Sequence, residues 1–537
     1  MYRYIVNISM ALCFVASMAL SACYDDKGNY DYSELDEIVI DTAGLGIQAT
    51  YVLNRYDKLS IAPKIKYKGK DVSNDSSAPL DYVWTLYNAH SGMGITYVVD
   101  TLGYSSKLEN VEITPIADSY TIQLTVTDLN SGIENYFKVT CQVEESITAG
   151  WMLLYECADE PDKSDVGLVV NPLVKKNIIQ EREFWNLYKS SNGTSLEGKP
   201  IQIMHAVEAG MATASDLVAC LTDKEYVRVN NATFVKVEDL KDRFYAAPSS
   251  TSALWTGAAL SPSNRKGYIL VDGEVYTINY MLIAGGGYYF GMPKSGEHGE
   301  LASWGSCSAS YDAVVYDQTN EKFLCVNSSS VELSSFTAQS PTAAFDVNNV
   351  GMELLMADWG RGSTPYSTAY DYMLMKKENE RYLAIANFST NQADTNIGLG
   401  LYNVSSSPDI DNATTMATAY LGEYVLYGAG SKVYNLSYNA STVAKEWWTA
   451  PSSDEEVTCV RMQKFHYLMF LNPMMGGGIM PNANAIVHIT TWNKNTKEGK
   501  LYQYPINPAS GTITGEPKIY TVPGKVKDMA WKYVMDM

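Results

Sequence analysis

The stretch "GYILVDGEVYTINY", Gly267 to Tyr280, reads as two strands joined by a turn. Tyr268 to Val271 form a short apolar run, and Val275, Tyr276 and Ile278 form a second. Asp272-Gly273 between them suits a two-residue turn with positive φ, whose twist matches that of the strands it joins. The same construction returns downstream. "VLYGAGSKVYNL" turns at Gly428 to Ser431, and "VYDQTNEKFLCV" and "HITTWNKNTKEGKLYQY" carry longer turns of the same kind.

From Gly150 onward, strand-like runs of this type recur to the end of the chain, from "GWMLLYE" to "GKVKDMAWKYV". Sustained helical periodicity is nearly absent; "SDLVACLTD" and "LKDRFYAA" come closest. Repeated hairpins over the 388 residues from Gly150 to Met537 predict radial repetition, a β-propeller. At roughly 40–55 residues per four-stranded blade it would have seven or eight blades. The final "GKVKDMAWKYV" is expected to pair with the start of this domain and close the ring. A large two-sheet sandwich is the alternative architecture. No WD dipeptide or kelch signature marks a named propeller type.

Residues 34–148 have a different texture of short alternating strands and polar turns. In "YTIQLTVTD", Tyr120, Ile122, Leu124 and Val126 share one face, and "DLNSG", Asp128 to Gly132, is a turn by composition. Six or seven such strands fit an immunoglobulin-like sandwich. "YVWTLY", followed by "YTIQLTVTDLNSG", resembles the PKD domain pattern. That resemblance makes Trp84 a core residue and Asp128 a turn former. The fold expected overall is therefore all-β, a PKD-like β-sandwich (34–148) followed by a β-propeller-like domain (149–537).

The chain opens with Arg3 and a short apolar region that exits through Leu20-Ser21-Ala22-Cys23. Interrupted by Asn7 and Ser9, this region is shorter than a membrane span and reads as a secretory signal over 1–22. Leu-Ser-Ala-Cys resembles the lipobox of bacterial lipoproteins, which implies cleavage before Cys23 and acylation of its sulfur. Two or more acyl chains hold a protein on a bilayer where one does not. The following "YDDKGNYDY" is an acidic tether, assigned to 23–33 with the cysteine. It resembles the signal that sends lipoproteins of Bacteroidetes to the outer face of the outer membrane.

Composition narrows the function classes. The chain has 537 residues, 40 Lys plus Arg against 60 Asp plus Glu, and a net charge of −20. Loss of Arg3 with the signal makes it more negative still. Such a protein lacks an electrostatic footprint for nucleic acid. Its 40 tyrosines suit both β-sheet packing and peptide or sugar binding. After removal of Cys13 and acylation of Cys23, six cysteines remain, with no C-x-x-C pair and no histidine at ligand spacing. Most read as small buried hydrophobes, and an isolated disulfide is left open. Of five histidines, His466 and His488 sit in apolar strands as structural residues, whereas His298 falls in a polar loop and is expected to be exposed. G-x-S-x-G, P-loop and S-x-x-K motifs are absent from the sequence. "SPDIDNAT", Ser407 to Thr414, lacks the glycine and terminal glutamate of an EF-hand and reads as a solvated loop. No catalytic residues, metal site or cofactor are assigned.

Three places are candidates for ligand or partner binding. Tyr288 and Tyr289 follow Gly285-Gly286-Gly287, Met474 and Met475 precede Gly476-Gly477-Gly478, and Trp447-Trp448 lie in "KEWWTAP". Triple glycine allows positive φ and close backbone approach, and methionine gives an adaptable apolar surface. The plainer reading is of long loops between blades. Adjacent residues on a strand face opposite ways, so at most one of the two tryptophans is expected in the core.

Taken in order, the features resemble the PKD-like family lipoproteins of Bacteroidetes, most specifically over the first 150 residues. The resemblance implies a lipid anchor in the outer membrane, an extracellular-facing protein, and partnership with SusC/SusD-like TonB-dependent importers. The expected role is a non-enzymatic accessory or ligand-binding subunit for peptide or oligosaccharide uptake. The alternative is a surface glycoside hydrolase on a propeller, which needs only two carboxylates across a cleft.

Overall fold

The computed structural model describes residues 38–537, apart from 55–56, 89–98, 116, 145–146, 148, 177, 210–213, 249–254, 262–265, 280–288, 309, 328–329, 364–368, 391, 465–479 and 533–537. The chain is all-β. Its helical content among the described residues is one short α-helix, Leu187–Asn192, and two 3₁₀ turns, Leu240–Arg243 and Ile410–Asn412. Described residues up to Ala49, with Lys58–Val111 and Tyr120–Thr140, form one compact unit. Thr50–Asp57, Glu112–Ser119 and the chain from Cys141 onward form the other.

The N-terminal strands build a five-stranded sheet in the order Thr50–Asn54, Glu134–Glu144, Asp118–Asp128, Leu80–Asn88, Val99–Gly103. A three-stranded sheet of Ile38–Asp41, Lys64–Tyr67 and Lys70–Asp71 and the pair Lys58–Ile61 with Leu108–Glu112 complete the set. The alternation in Asp118–Asp128 is strict: Tyr120, Ile122, Leu124 and Val126 are buried. Trp84 is fully buried opposite Leu124, and its Nε1 donates to Ser105 O at 2.8 Å. Asp128 organises the turn. Its Oδ1 accepts Asn130 N (2.9 Å), its Oδ2 accepts Ser131 Oγ (2.7 Å), and Gly132 takes φ 71°. These donors, the Asn130 N–H foremost, hold the carboxyl below the usual aspartate range.

Among the described residues, seven antiparallel sheets follow from Gly150 on. The first contains Gly150–Cys157, Lys163–Val170 and Arg182–Phe184, and the second runs Pro200–Ala209, Ala214–Thr222, Tyr226–Asn230, Lys236–Asp239. The third and fourth have three strands each, Trp255–Ser261, Lys266–Val271, Glu274–Asn279 and then Leu301–Ser306, Tyr311–Asp317, Lys322–Asn327. The last three have four, beginning with Glu353–Gly360, Thr415–Thr418 and Glu455–Met462. The hairpin at Asp272-Gly273 has φ 52° and 78°, with Val271 paired to Glu274 across it. Two positive φ values in succession are what a type I′ turn requires. "SDLVACLTD" is a strand, because Val218 to Leu221 are buried on both faces and so show neither period. "LKDR" is one 3₁₀ turn, capped by Asp239.

The chain's last described strand, Gly524–Lys532, joins the first sheet. It pairs antiparallel with Gly150–Cys157, from Gly150↔Lys532 to Cys157↔Gly524, with one bulge after Leu154. Each first strand lies against the first strand of the following sheet, and Gly524–Lys532 lies against both Pro200–Ala209 and Glu455–Met462. Among the described residues, seven apolar clusters fill the spaces between consecutive sheets. Met152, Leu154 and Val166 meet Val218 and Val227 between the first and second. Leu153, Tyr155 and Val169 meet Cys459, Leu501 and Val522 between the first and seventh. Both faces of each sheet are therefore covered, which is why Tyr311–Asp317 and Lys266–Val271 are buried at every position. The arrangement is propeller-like.

A Cβ at Gly524 would stand 2.1 Å from Glu156 O. Gly524→Ala should destabilise the protein by about 1–3 kcal/mol, read as a lower urea midpoint. Gly291→Ala, where a Cβ meets nothing within 4 Å, should stay within about 0.5 kcal/mol of the parent.

Candidate functional site: a belt of charge on the inner strands

The strands of these sheets are largely apolar, but charges gather where some first strands turn into the second, at Asp358 and Arg461 on first strands and at Lys266, Asp312 and Asp371 on second strands. Arg461, near the end of Glu455–Met462, reaches the strand Gly524–Lys532, with its Nε and Nη2 3.1 and 2.7 Å from Asp528 Oδ1. Asp528 Oδ2 accepts Ile203 N of the second sheet at 3.0 Å. Lys464 donates to Asp358 Oδ2 and to Trp359 O, and its ammonium lies 4.4 Å from the Trp359 ring centroid. Thr418 N adds a 2.8 Å bond to the same Asp358 oxygen. Two carboxylates thus tie the fifth, sixth, seventh, first and second sheets together. A third pair, Lys266–Asp312 at 3.0 Å, joins the third and fourth sheets and is buried on both sides.

Asp371 completes the belt opposite Trp359 in the strand register. Burial pushes its carboxyl up to about 7; the Ser306 hydroxyl bond opposes this and the neighbouring Asp358 adds to it. Lys464 is moved down, by burial first and against the pull of Asp358. In chemical terms Asp358, Asp528 and Asp312 each face a cation, and Asp371 is out of solvent.

A second polar chain lies at the seam of the first and seventh sheets. His488 is fully buried and stacked on Trp151, with ring centroids 3.6 Å apart and planes 9° from parallel. Its Nε2 is 3.0 Å from Gln463 Oε1, and its Nδ1 is 3.2 Å from Gln503 Nε2. Asn171 Nδ2 donates onward to Gln503 Oε1 at 2.6 Å. Burial holds this imidazole well below the ordinary histidine range.

Of the residues singled out from sequence, Cys23, Tyr288, Met474, Met475 and His466 lie outside the described residues. Tyr289 is exposed, beyond the edge of the third sheet. Trp447 and Trp448 lie on the outer strand of the sixth sheet, and both pack on one apolar cluster. Only Trp448 is in the core, as expected, and Trp447 is half-buried against the same cluster because the register slips there: Val433 pairs with Trp448 and Tyr434 with Glu446, leaving Trp447 as the extra residue of a bulge. Trp447 Nε1 donates to Gly511 O (2.6 Å) and Trp448 Nε1 to Tyr504 OH (3.0 Å), so both indoles are anchored internally. His298 is half-buried rather than exposed, its Nδ1 2.9 Å from Gly299 O. In the "SPDIDNAT" loop, Asp409 accepts the Tyr434 hydroxyl and Asp411 pairs with Arg381 at 3.1 Å. Among the described residues the six cysteines are free thiols, no group of three or more His, Cys, Asp or Glu could hold a metal ion, and no helix is long and apolar enough to cross a membrane. The charged belt was not expected from the sequence; its signal there is one or two charges inside otherwise apolar runs, as in "MADWG", "CVRMQK" and "VKDMAW".

The molecule is thus an all-β protein with an N-terminal sandwich-like sheet set and a propeller-like series of sheets. Residues 23–200 match the PKD-like family, a third of the chain. No curated protein matches. Among solved structures, a quinonprotein alcohol dehydrogenase-like protein from Bacteroides thetaiotaomicron aligns at 10% identity and TM-score 0.40, covering 92% of this chain and 99% of that one. A lignostilbene dioxygenase from Pseudomonas brassicacearum aligns at 8% identity and TM-score 0.36 (94% and 97%). The WD40 domain of SCAP from fission yeast aligns at 8% and 0.32 (60% and 74%). Likeness at this level carries no argument about activity.

Two opposite pH effects are expected. Asp371 binds its proton more tightly folded than unfolded, so the stability it contributes at acid pH is lost as pH rises from about 4 to about 7. Asp371→Asn should raise Tm at pH 8 and change it little at pH 4. His488 binds its proton more weakly folded, so its contribution is present above about pH 6.5 and lost as pH falls below it. His488→Gln should flatten the fall in Tm between pH 6.5 and 5.

Proposed function

We propose that this protein is a lipoprotein of the outer membrane, facing outward. It serves as a non-enzymatic accessory or ligand-binding subunit of a SusC/SusD-like TonB-dependent importer of peptides or oligosaccharides. One observation carries the reading. The match to the PKD-like family opens at Cys23, the residue that Leu-Ser-Ala-Cys marks as the first of the mature chain. Acidic residues directly after it fit an address to the cell surface.

On this reading the seven sheets are the blades of a seven-bladed β-propeller, and the strand Gly524–Lys532 closes its ring. The cyclic order of the seven apolar clusters supports that count. The glycosidase alternative needs one carboxyl free to protonate a leaving group and a second to act as base or nucleophile. The carboxylates of the inner belt are instead paired with Arg461, Lys464 and Lys266, or buried as Asp371 is. This weighs toward binding and against hydrolysis.

The test is made in the native host with the full-length chain. Labelled palmitate should enter the wild-type protein and not Cys23→Ala. Proteinase K added to intact cells should degrade the wild type while a periplasmic marker survives. Palmitate-free wild-type protein, or a lipidated protein sheltered from protease, would overturn the surface-lipoprotein reading.

A further inference from the structure

Residues 289–295 form a strap beyond the edge strand of the third sheet. Phe290 N donates to Arg243 O (2.6 Å) and Tyr245 N to Phe290 O (3.0 Å), which fastens one end to the segment after the second sheet. Lys294 N donates to Val275 O (2.8 Å) on the third sheet's edge. Ser295 N donates to Val331 O (2.9 Å) and Leu333 N to Ser295 O (2.8 Å), which fastens the other end to the segment after the fourth sheet. Phe244 and Phe290 are buried, with rings 5.5 Å apart. Alternation along extended backbone therefore turns Tyr245 and Tyr289 outward. Tyr245 is 85% exposed, Val331 70%, Met292 65% and Tyr289 52%. Single exposed apolar residues are ordinary, but a group on one hydrogen-bonded ribbon marks a contact surface. Tyrosine and methionine are also enriched at interfaces.

The border of this ribbon is acidic. Glu274 adjoins Val275, Glu332 is bridged to Ser295, and Glu297 lies two residues beyond it. They outnumber Lys241, the exposed cation two residues before Arg243. Lys294 turns its ammonium onto Ser330 O at 2.7 Å. We propose that the strap is a docking surface for a segment of a partner protein in which apolar side chains alternate with lysine or arginine. The apolar residues would cover Tyr245, Tyr289, Met292 and Val331, and the cations would meet the three glutamates. This inference stands apart from the importer reading, since it names the chemistry of the partner segment and not its source.

The test uses the full mature chain and two fluorescein-labelled peptides, three repeats of Lys-Tyr-Lys-Val and the same sequence with Glu for Lys, read by anisotropy. The lysine peptide should bind, and the glutamate peptide at least about tenfold more weakly. The triple variant Tyr245→Ser, Tyr289→Ser, Met292→Ser should lose about tenfold in affinity with Tm unchanged. Glu297→Lys with Glu332→Lys, which keeps the apolar residues, should weaken binding as well. Equal binding of both peptides, no binding, or an unaffected triple variant would overturn the proposal. Self-association that the triple variant abolishes would assign the strap to a second copy and overturn it too.

Discussion

Everything after Gly150 depends on one pairing, the strand Gly524–Lys532 on the strand Gly150–Cys157. A sheet that is apolar on both faces cannot stand alone in water; each face needs a neighbour. Among the described residues, the sheets that follow one another in the chain share apolar clusters by chain order. Contact between the first sheet and the last is brought about by the far end of the chain. The strand Gly524–Lys532 does this through backbone hydrogen bonds, and Val526 and Met529 enter the cluster that fills the seam. Closing a loop this long is costly in entropy, though the cost grows slowly with length. The seam is accordingly provided with more than apolar contact. The Trp151–His488 stack, the Asn171–Gln503 bond and the Arg461–Asp528 pair all cross it.

The charged belt belongs to the same problem. Inner strands crowd where they converge, and their side chains there must pack with neighbours from more than one sheet. Buried ion pairs are a poor source of net stability, because desolvation offsets most of the Coulomb gain. They are directional, however, and a mispaired sheet would leave a charge uncompensated. Asp358 and Asp528 each take donors from two other sheets, so only the observed order of sheets satisfies them. In the belt itself, Asp358, Asp528 and Asp312 are each held by a cation.

Legibility in the sequence followed the reach of each interaction. The I′ turn at Asp272-Gly273, the strict alternation in Asp118–Asp128 and the buried Trp84 are set by near neighbours, and their residues announce them. "SDLVACLTD" did not announce itself, because burial on both faces erases the two-residue period. That one of the two tryptophans is core was legible, but the bulge that sets Trp447 beside it depends on the partner strand, which sequence order does not reveal. Asp371 and Lys464 were unreadable as a cluster. They are 93 positions apart in the chain and meet only through the order of the sheets. The exposed strap was half legible: Tyr289 stood out beside its glycines, whereas Tyr245, Met292 and Val331 joined it only through the fold.

The central claim is that this chain works beside an importer. Its most direct measurement is affinity isolation of the tagged protein from gently solubilised outer membranes of the native host, with partners identified by mass spectrometry. The account predicts stoichiometric recovery of a TonB-dependent barrel and its lid lipoprotein. Recovery of the protein alone from membranes in which that barrel is intact would contradict it.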